Sequence, residues 1–221
     1  MRAFTFAVVL SLIFVSCSKD KSTFTWISEA RYDVTITSKW AAPAFTVPMP
    51  AHFTTFVGMV HNDKTSLWKE GGTASAGMEM LAELGNGTAL LTEIESKITA
   101  GTASSLLLFL APELTSSRST SLYCNTNYTH VSFASMLGPT PDWFVGVSGI
   151  NLYANQQWVS DTTINLYAMD AGTEDGDAFS TVNPATLPQQ NIQVLAAANA
   201  TVLSNGNPTL VPIATARFTK K

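Results

Sequence analysis

Four carboxylates flank two apolar segments in the middle of the chain. Asp142 stands directly before the first segment, and Asp170, Glu174 and Asp175 follow the second. If the two segments pair as an antiparallel hairpin, the start of the first lies beside the end of the second. Carboxylates 28 residues apart in the sequence would then meet at one end of the sheet. This pattern is typical of a hard-cation site, although solvated turn acids have the same composition.

The loop from 170 to 176 offers the oxygen-rich composition that calcium requires. Ca²⁺ takes about six to eight oxygen ligands from carboxylates, carbonyls and water, and this loop supplies three carboxylates within seven residues. Gly172 and Gly176 allow its backbone to turn carbonyl groups inward. The EF-hand pattern fails, because Gly172 occupies a ligand position and Asp175 stands where glycine is required.

The elements that must position these acids are mostly strands. Alternating or short apolar runs bounded by turn signals predict eight of them. The predicted strands are Arg31–Trp40, Phe53–His61, Ser104–Ala111, Thr129–Leu137, Trp143–Tyr153, Thr162–Ala168, Gln190–Ala197 and Pro212–Thr219. We therefore predict an all-β fold, an antiparallel β-sandwich of about eight strands with one or two short helices.

Two segments between the second and third strands have helical spacing. Apolar residues recur at helical intervals over Thr73–Glu83, which Gly85 is expected to end, and over Thr88–Ala100. Glu93 and Lys97 are expected to form an ion pair four residues apart on the second helix. The tract from 183 to 208 is predicted to be mostly loop.

Composition and motifs exclude several classes of function. A net charge of −4 and the absence of a Lys/Arg cluster argue against nucleic-acid binding. His52, His61 and His130 lack zinc-ligand spacing, and the sequence contains no nucleophile-elbow, P-loop or dinucleotide-binding motif. Cys124 lacks a partner if Cys17 is lipidated, so we expect a structural, semi-buried thiol and no disulfide.

The first 17 residues have the pattern of a targeting segment. Arg2 precedes the apolar run Ala3–Phe14, which is shorter than the roughly 20 residues needed to span a bilayer. Cys17 follows a small residue, as in a bacterial lipobox, although an ordinary cleaved signal with an incidental cysteine is the alternative. We predict a lipoprotein-type signal peptide over 1–17, lipidation at Cys17 and a tether over 18–29. The protein would then be exported and lipid-anchored in a bacterial envelope, in the periplasm or at the cell surface.

Motifs spread in order over residues 30–218 resemble one known family. They are Ala30-Arg31-Tyr32, LWKEGG at 67–72, ASAGM at 74–78, LAE at 81–83, SMLGPTPDWFVGVSGINLY at 135–153, INLYAMDAGTEDG at 164–176, Leu187-Pro188-Gln189 and Ala216-Arg217. With these motifs, residues 30–221 resemble the spondin N-terminal domain. The resemblance implies a C2-like antiparallel β-sandwich with one bound calcium ion.

The resemblance also implies a set of calcium ligands. The family's ligands are the Asp of its PDW motif and two acidic residues of its DAGTDSG loop, which correspond here to Asp142, Asp170 and Glu174. Glu replaces Asp at the last position, so Asp175 is the alternative third ligand. No catalytic residue is implied. This chain has no cysteine pair to match that of animal spondins, and their partners are not carried over.

Two functions follow as hypotheses. The first is a non-enzymatic, calcium-binding surface lipoprotein that acts in adhesion or in binding at the cell envelope, with an unidentified protein or glycan as its partner. The alternative is a carbohydrate-binding module or, with less support, a glycoside hydrolase that uses the same carboxylates. The hydrolase is disfavoured because calcium-bound carboxylates are poor general acids and only Trp143 and Trp158 are near in the sequence.

Overall fold

Two antiparallel sheets packed face to face form the body of the protein, in a computed structural model that describes residues 27–221. The architecture confirms the predicted β-sandwich. The predicted signal peptide over 1–17, the lipidation site at Cys17 and most of the tether over 18–29 lie outside the described residues. No described helix is long and apolar enough to cross a lipid bilayer.

Thirteen strands and three helices are present in this part of the chain. The strands are β1 (Glu29–Ser38), β2 (His52–Phe53), β3 (Phe56–His61), β4 (Ala103–Phe109), β5 (Ser117–Asn125), β6 (His130–Gly138), β7 (Trp143–Asn151), β8 (Tyr153–Ala154), β9 (Gln157–Trp158), β10 (Asp161–Leu166), β11 (Met169–Asp170), β12 (Gln193–Val194) and β13 (Ala214–Lys220). The helices are α1 (Ala76–Leu84), α2 (Thr88–Thr99) and α3 (Ala197–Leu203). Eight of the strands have six or more residues; they include β5, which was not predicted, and exclude the predicted strand Gln190–Ala197.

The strand order separates the chain into a first and a second sheet. The first sheet has the order β10-β13-β1-β5, and the second has the order β12-β11-β7-β6-β3-β4 with β2 beside β6. All neighbouring strands pair antiparallel. The short strands β8 and β9 form a separate hairpin.

Alternation along each strand determines which side chains enter the core. On β1, Tyr32, Val34 and Ile36 are buried between the sheets, while the alternate residues Asp33 and Thr35 are more exposed, as the period of two requires. A second apolar layer covers the outer face of the second sheet, where Met78 of α1 and Leu90 of α2 are fully buried. The helices therefore shield one face of the second sheet.

The predicted hairpin between Trp143–Tyr153 and Thr162–Ala168 is wrong. The first segment forms β7, which pairs with β6 and β11 in the second sheet. The other forms β10, which pairs with β13 in the first sheet, and its Leu166 is buried in the core between the sheets. The chain thus changes sheets after β9, and only the two-residue β11 returns to β7.

Several local predictions also need correction. β5 was not predicted, because its sequence SRSTSLYCN lacks an apolar run and is buried at only two positions. Within the tract predicted to be loop, α3 forms with Ala200 and Leu203 buried. Gln190–Ala197 contributes only the short β12.

The first helix has the predicted end but a different beginning. The α1 helix starts after Ser75, whose hydroxyl accepts a hydrogen bond from the Met78 backbone N–H, and it ends at Gly85. The predicted ion pair between Glu93 and Lys97 is not formed. The Glu93 carboxylate instead accepts hydrogen bonds from the Ser75 hydroxyl at 2.6 Å and from the Gly77 N–H at 2.7 Å. Glu93 therefore connects α2 to the beginning of α1, where a negative charge is favoured.

Candidate functional site

The start of β7 and the short β11 bring the predicted site residues together. Asp142 immediately precedes β7, and Asp170 lies opposite Trp143 in the β7–β11 pair. The Ala171 N–H donates to the Asp142 carbonyl at 3.3 Å. Asp142 and Asp170 are thus neighbours at one end of the second sheet, as the sequence predicted, although the connection differs from the expected hairpin.

Asp142 is completely buried, and its two carboxylate oxygens have different surroundings. Its Oδ2 accepts hydrogen bonds from the Thr173 N–H at 2.7 Å, the Thr173 hydroxyl at 3.2 Å and the Glu174 N–H at 3.2 Å. Its Oδ1 has no hydrogen-bond partner. Burial raises the pKa of Asp142, and the three hydrogen bonds oppose that rise. A buried oxygen without a partner is costly, and a cation would offset this cost.

Asp170 is half-buried beside this carboxylate. Its Oδ1 accepts a hydrogen bond from the Gly172 N–H at 2.8 Å. Burial, followed by repulsion from Asp142, raises the pKa of Asp170 to about 6. Gly172 has φ of 73°, and a Cβ there would lie 2.5 Å from the carbonyl oxygen of Gln190. Only glycine therefore fits the turn that places Asp170 against the loop.

The two candidates for the third ligand lie on the rim of the site. The Glu174 carboxylate accepts a hydrogen bond from the Asn183 side chain at 3.1 Å, and Asp175 accepts one from the Thr186 hydroxyl at 2.6 Å. Across residues 27–221, no three acidic, histidine or cysteine side chains converge closely enough to hold a metal ion as they stand. The structure therefore brings Asp142 and Asp170 together, while the side chains of Glu174 and Asp175 are engaged in hydrogen bonds with Asn183 and Thr186.

A fifth carboxylate, Glu83, faces the same region and was not predicted. It lies in the last turn of α1, beside the hydroxyl of Thr173, and burial followed by repulsion from Glu79 and Asp142 raises its pKa. Burial, followed by repulsion from Glu83, raises the pKa of Glu174, and the hydrogen bond from Asn183 opposes that rise. Glu83 occupies an ordinary polar position of an amphipathic helix, so no local sequence signal marks it. Its proximity depends on how α1 packs across the second sheet.

The remaining candidate residues have structural surroundings. Burial raises the pKa of the Cys124 thiol to about 12, and among the described residues the thiol is free and buried, as expected for a structural residue rather than a nucleophile. Trp143 is fully buried, and Trp158 packs against the rings of Tyr32 and Tyr153. Neither tryptophan is free to stack on a sugar at the acidic site, which weakens the glycoside-hydrolase alternative.

The histidines are similarly occupied in structural contacts. His52 is exposed, and its Nδ1 lies 2.7 Å from the carbonyl oxygen of Pro50. His61 is buried against Ser132, and its ring centroid lies 5.7 Å from that of His130. Among the residues that the structure describes, these rings do not join a group of three or more metal-ligating side chains.

Comparison with known proteins relates this chain to a defined family. Residues 30–205 match the Spondin_N family model. Spondin-2 of Homo sapiens is 36% identical over 173 residues, which are 74% of this chain and 51% of that protein. Spondin-2 of Rattus norvegicus is 34% identical over 180 residues, 77% of this chain and 54% of that protein. Spondin-1 of Gallus gallus is 30% identical over 175 residues, 75% of this chain and 22% of that protein.

The chain thus spans about half the length of the spondin-2 relatives and a smaller share of spondin-1. The matched region contains β2 to β12 and all the acidic residues of the site. Because the family model covers most of the sequence, this chain belongs to the spondin N-terminal (Spondin_N) domain family.

Proposed function

We propose that this protein is a non-enzymatic binding module whose acidic site holds a calcium ion. The unpartnered Oδ1 of the buried Asp142, beside the carboxylate of Asp170, is the observation that supports this proposal most directly. The buried carboxylate of Asp142 beside the half-buried carboxylate of Asp170 makes ionisation of the pair costly, and a bound divalent cation would offset that cost. Membership of the spondin family supports a role in extracellular binding rather than catalysis.

The residues present fit a hard cation. Asp142 Oδ1 and the Asp170 carboxylate supply oxygen atoms from β7 and β11, and Glu174 or Asp175 supplies the third after a change of side-chain conformation. A bound ion would neutralise these charges and fasten the loop to the end of the second sheet. The ordered loop would then be a rigid surface for a protein or glycan partner in adhesion.

The place of action is part of the same proposal. The apolar N-terminal run and Cys17 support export and attachment to a bacterial envelope by lipid. Detergent phase partitioning tests the anchor: the full chain should enter the detergent phase, and Cys17→Ser should remain in the aqueous phase. Equal partitioning of both proteins would contradict lipid attachment at Cys17.

Calcium-dependent thermal unfolding, combined with calorimetric titration, tests the metal. Calcium in excess over chelator should raise the melting temperature, and a concentration of 100 times Kd would add about 2.7 kcal/mol to the free energy of unfolding. Asp142→Asn should abolish the shift, because the amide keeps an acceptor oxygen for Thr173 and Glu174 but places an NH₂ group where Oδ1 was. Asp161→Asn, at an exposed acid on β10, is the matched control.

Each outcome of this experiment decides a different point. A wild-type protein that shows neither heat of binding nor a melting shift with calcium would contradict the metal site. A Glu174→Gln variant that loses the calcium shift while Asp175→Asn retains it identifies Glu174 as the third ligand, and the reverse result identifies Asp175.

A further inference from the structure

A surface cleft of about 280 Å³ lies beside the acidic site, between the end of α1 and the end of β6. Glu83 and Leu84 of α1 line it, together with Met136 of β6 and Pro139. Pockets that enclose a whole small molecule usually measure roughly 300–1,000 Å³. The cleft therefore has the size for one side chain of a partner rather than for a free ligand.

Glu83 brings a negative charge to this cleft. Its side chain is half-buried, and it takes part in none of the three ion pairs within residues 27–221. The Thr173 hydroxyl beside it has a single proton, which the Asp142 Oδ2 also accepts. The neighbouring charges, those of Glu79 and Asp142, repel it. A half-buried carboxylate in such surroundings favours a bound cation.

The other polar residues that line the cleft are able to accept hydrogen bonds. They are Thr54, Thr181 and His52. The His52 Nδ1 lies 2.7 Å from the Pro50 carbonyl oxygen. Because a carbonyl only accepts, Nδ1 donates, and Nε2 of the neutral ring is an acceptor. No lysine or arginine is among the described residues that line the cleft, so the cleft suits a group that only donates.

Apolar surface accompanies these acceptors. Leu84, Met136 and Pro139 line the cleft. Leu84 is 62% exposed, and Val182, which follows a lining residue in the chain, is 88% exposed. An arginine side chain matches both features of the cleft. Its apolar stem packs along such walls, and its planar, weakly hydrated guanidinium has five donors and no acceptor.

We propose that the cleft binds an arginine side chain of a protein partner, with the guanidinium on the carboxylate of Glu83. Lysine fits less well, because its ammonium does not match a carboxylate with two parallel hydrogen bonds. This partner chemistry rests on the proposed role of the protein as a binding module. Calcium at Asp142 and Asp170 would neutralise the neighbouring carboxylates without occupying the cleft, so metal and arginine should bind together.

Methyl NMR of the full chain in detergent, with isotope-labelled methionine, tests the cleft through Met136. N-acetyl-arginine amide is the probe, and Met136→Leu identifies the resonance. The Met136 signal should shift on titration with the probe, and the signal of Met59, which is fully buried outside the cleft, should stay in place. N-acetyl-citrulline amide, which has the shape of the probe without its charge, should bind at least tenfold more weakly. Calcium in excess should leave the arginine probe bound.

Two matched variants assign the charge. Glu83→Gln should weaken binding of the arginine probe at least tenfold, because the amide keeps the size of the side chain but removes its charge. Glu95→Gln, at an exposed acid of α2 outside the cleft, is the control and should bind the probe as the wild type does. Both variants should keep the calcium-dependent rise in melting temperature, because neither residue is a proposed calcium ligand.

The outcomes separate the arginine cleft from the metal site. An absent Met136 shift in the wild type, equal binding of the two probes, or equal loss of binding in both variants would overturn the arginine cleft. So would displacement of the probe by calcium or loss of the calcium response in Glu83→Gln, since these results would place the probe or Glu83 at the metal site. The calcium response is measured without the probe, so failure of the arginine cleft leaves the metal site unaffected.

Discussion

Two buried polar residues in this protein satisfy their hydrogen bonds to different extents. Asp142 has one carboxylate oxygen with three donors and the other with none. His61 has both ring nitrogens engaged: Nδ1 lies 2.7 Å from the Asn62 carbonyl and Nε2 lies 2.8 Å from the Ser132 hydroxyl. Because a carbonyl only accepts, Nδ1 must donate, and Nε2 of the neutral ring accepts from Ser132. The hydrogen bonds of His61 are thus complete, whereas those of Asp142 are incomplete, and this difference supports the proposed calcium site at Asp142.

His61 should make stability depend on pH. Burial lowers its pKa below the ordinary value, so the unfolded chain takes up a proton first as the pH falls. The free energy of unfolding should therefore decrease as the pH falls from about 6.5 through the folded-state pKa. Above that range, both states are neutral and this residue causes no pH dependence.

We predict that His61→Leu reveals this contribution. At pH 7.5 the free energy of unfolding of the variant should be lower than that of the wild type by about 1–3 kcal/mol, because the buried Ser132 hydroxyl loses its acceptor. The difference from wild type should shrink as the pH falls to 5, since leucine cannot titrate. Guanidinium unfolding of both proteins at several pH values measures this gap. If the difference in free energy of unfolding between the two proteins stayed constant from pH 7.5 to pH 5, the pKa of His61 would be the same in the folded and unfolded states.

At the scale of the elements, the sequence predicted well which segments form helices and strands, but it predicted poorly which strands pair with each other. Strong alternation on β1 and helical spacing in α2 are local signals, and both elements formed within a few residues of the expected bounds. Pairing is decided by contacts between distant residues, so β10 joined β13 rather than β7. Asp142 and Asp170 nevertheless meet, because β11 supplies the contact that the hairpin was expected to supply. The proximity of Glu83 to them has the same long-range origin.

The junction of α1 with α2 depends on one small residue. Gly77 is buried at the start of α1, and a Cβ there would lie 2.6 Å from both the Cα and the backbone nitrogen of Leu90. The Glu93 bond to the Gly77 N–H holds the two helices at this close separation. The motif containing Gly77 predicted a helix, but the close approach to α2 follows only from the packing.

We predict that Gly77→Ala destabilises the protein in spite of its better helix propensity. Alanine should gain up to about 1 kcal/mol in the helix, but the backbone clash with Leu90 should cost more, for a net loss of about 1–3 kcal/mol. Thr92→Ala, at an exposed position of α2, is the control and should be neutral or slightly stabilising. Chemical unfolding monitored by circular dichroism compares the variants. A Gly77→Ala protein as stable as the wild type would refute the close packing.

The whole molecule is held together by an aromatic junction between its sheets. Phe133 of β6, in the second sheet, lies edge-on to Phe56 with ring centroids 5.5 Å apart. It also lies face-to-face with Phe218 of β13, in the first sheet, with centroids 6.4 Å apart. All three rings are completely buried. Because β13 lies between β10 and β1, Phe218 connects the middle of one sheet to the middle of the other.

This junction predicts that the two sheets unfold as one unit. Phe218→Ala should lower the free energy of unfolding by about 3–5 kcal/mol, the usual range for removing a buried ring. The two sheets of the variant should still unfold in a single transition. Tryptophan fluorescence, which reports the buried Trp40 and Trp143, and far-UV circular dichroism should therefore shift together to lower denaturant. Arg217→Ala, next along the same strand with an exposed ion pair to Asp161, should change stability by less than about 1 kcal/mol. Separate transitions by the two probes in Phe218→Ala would show that the sheets are independent, with β13 stabilising only the first.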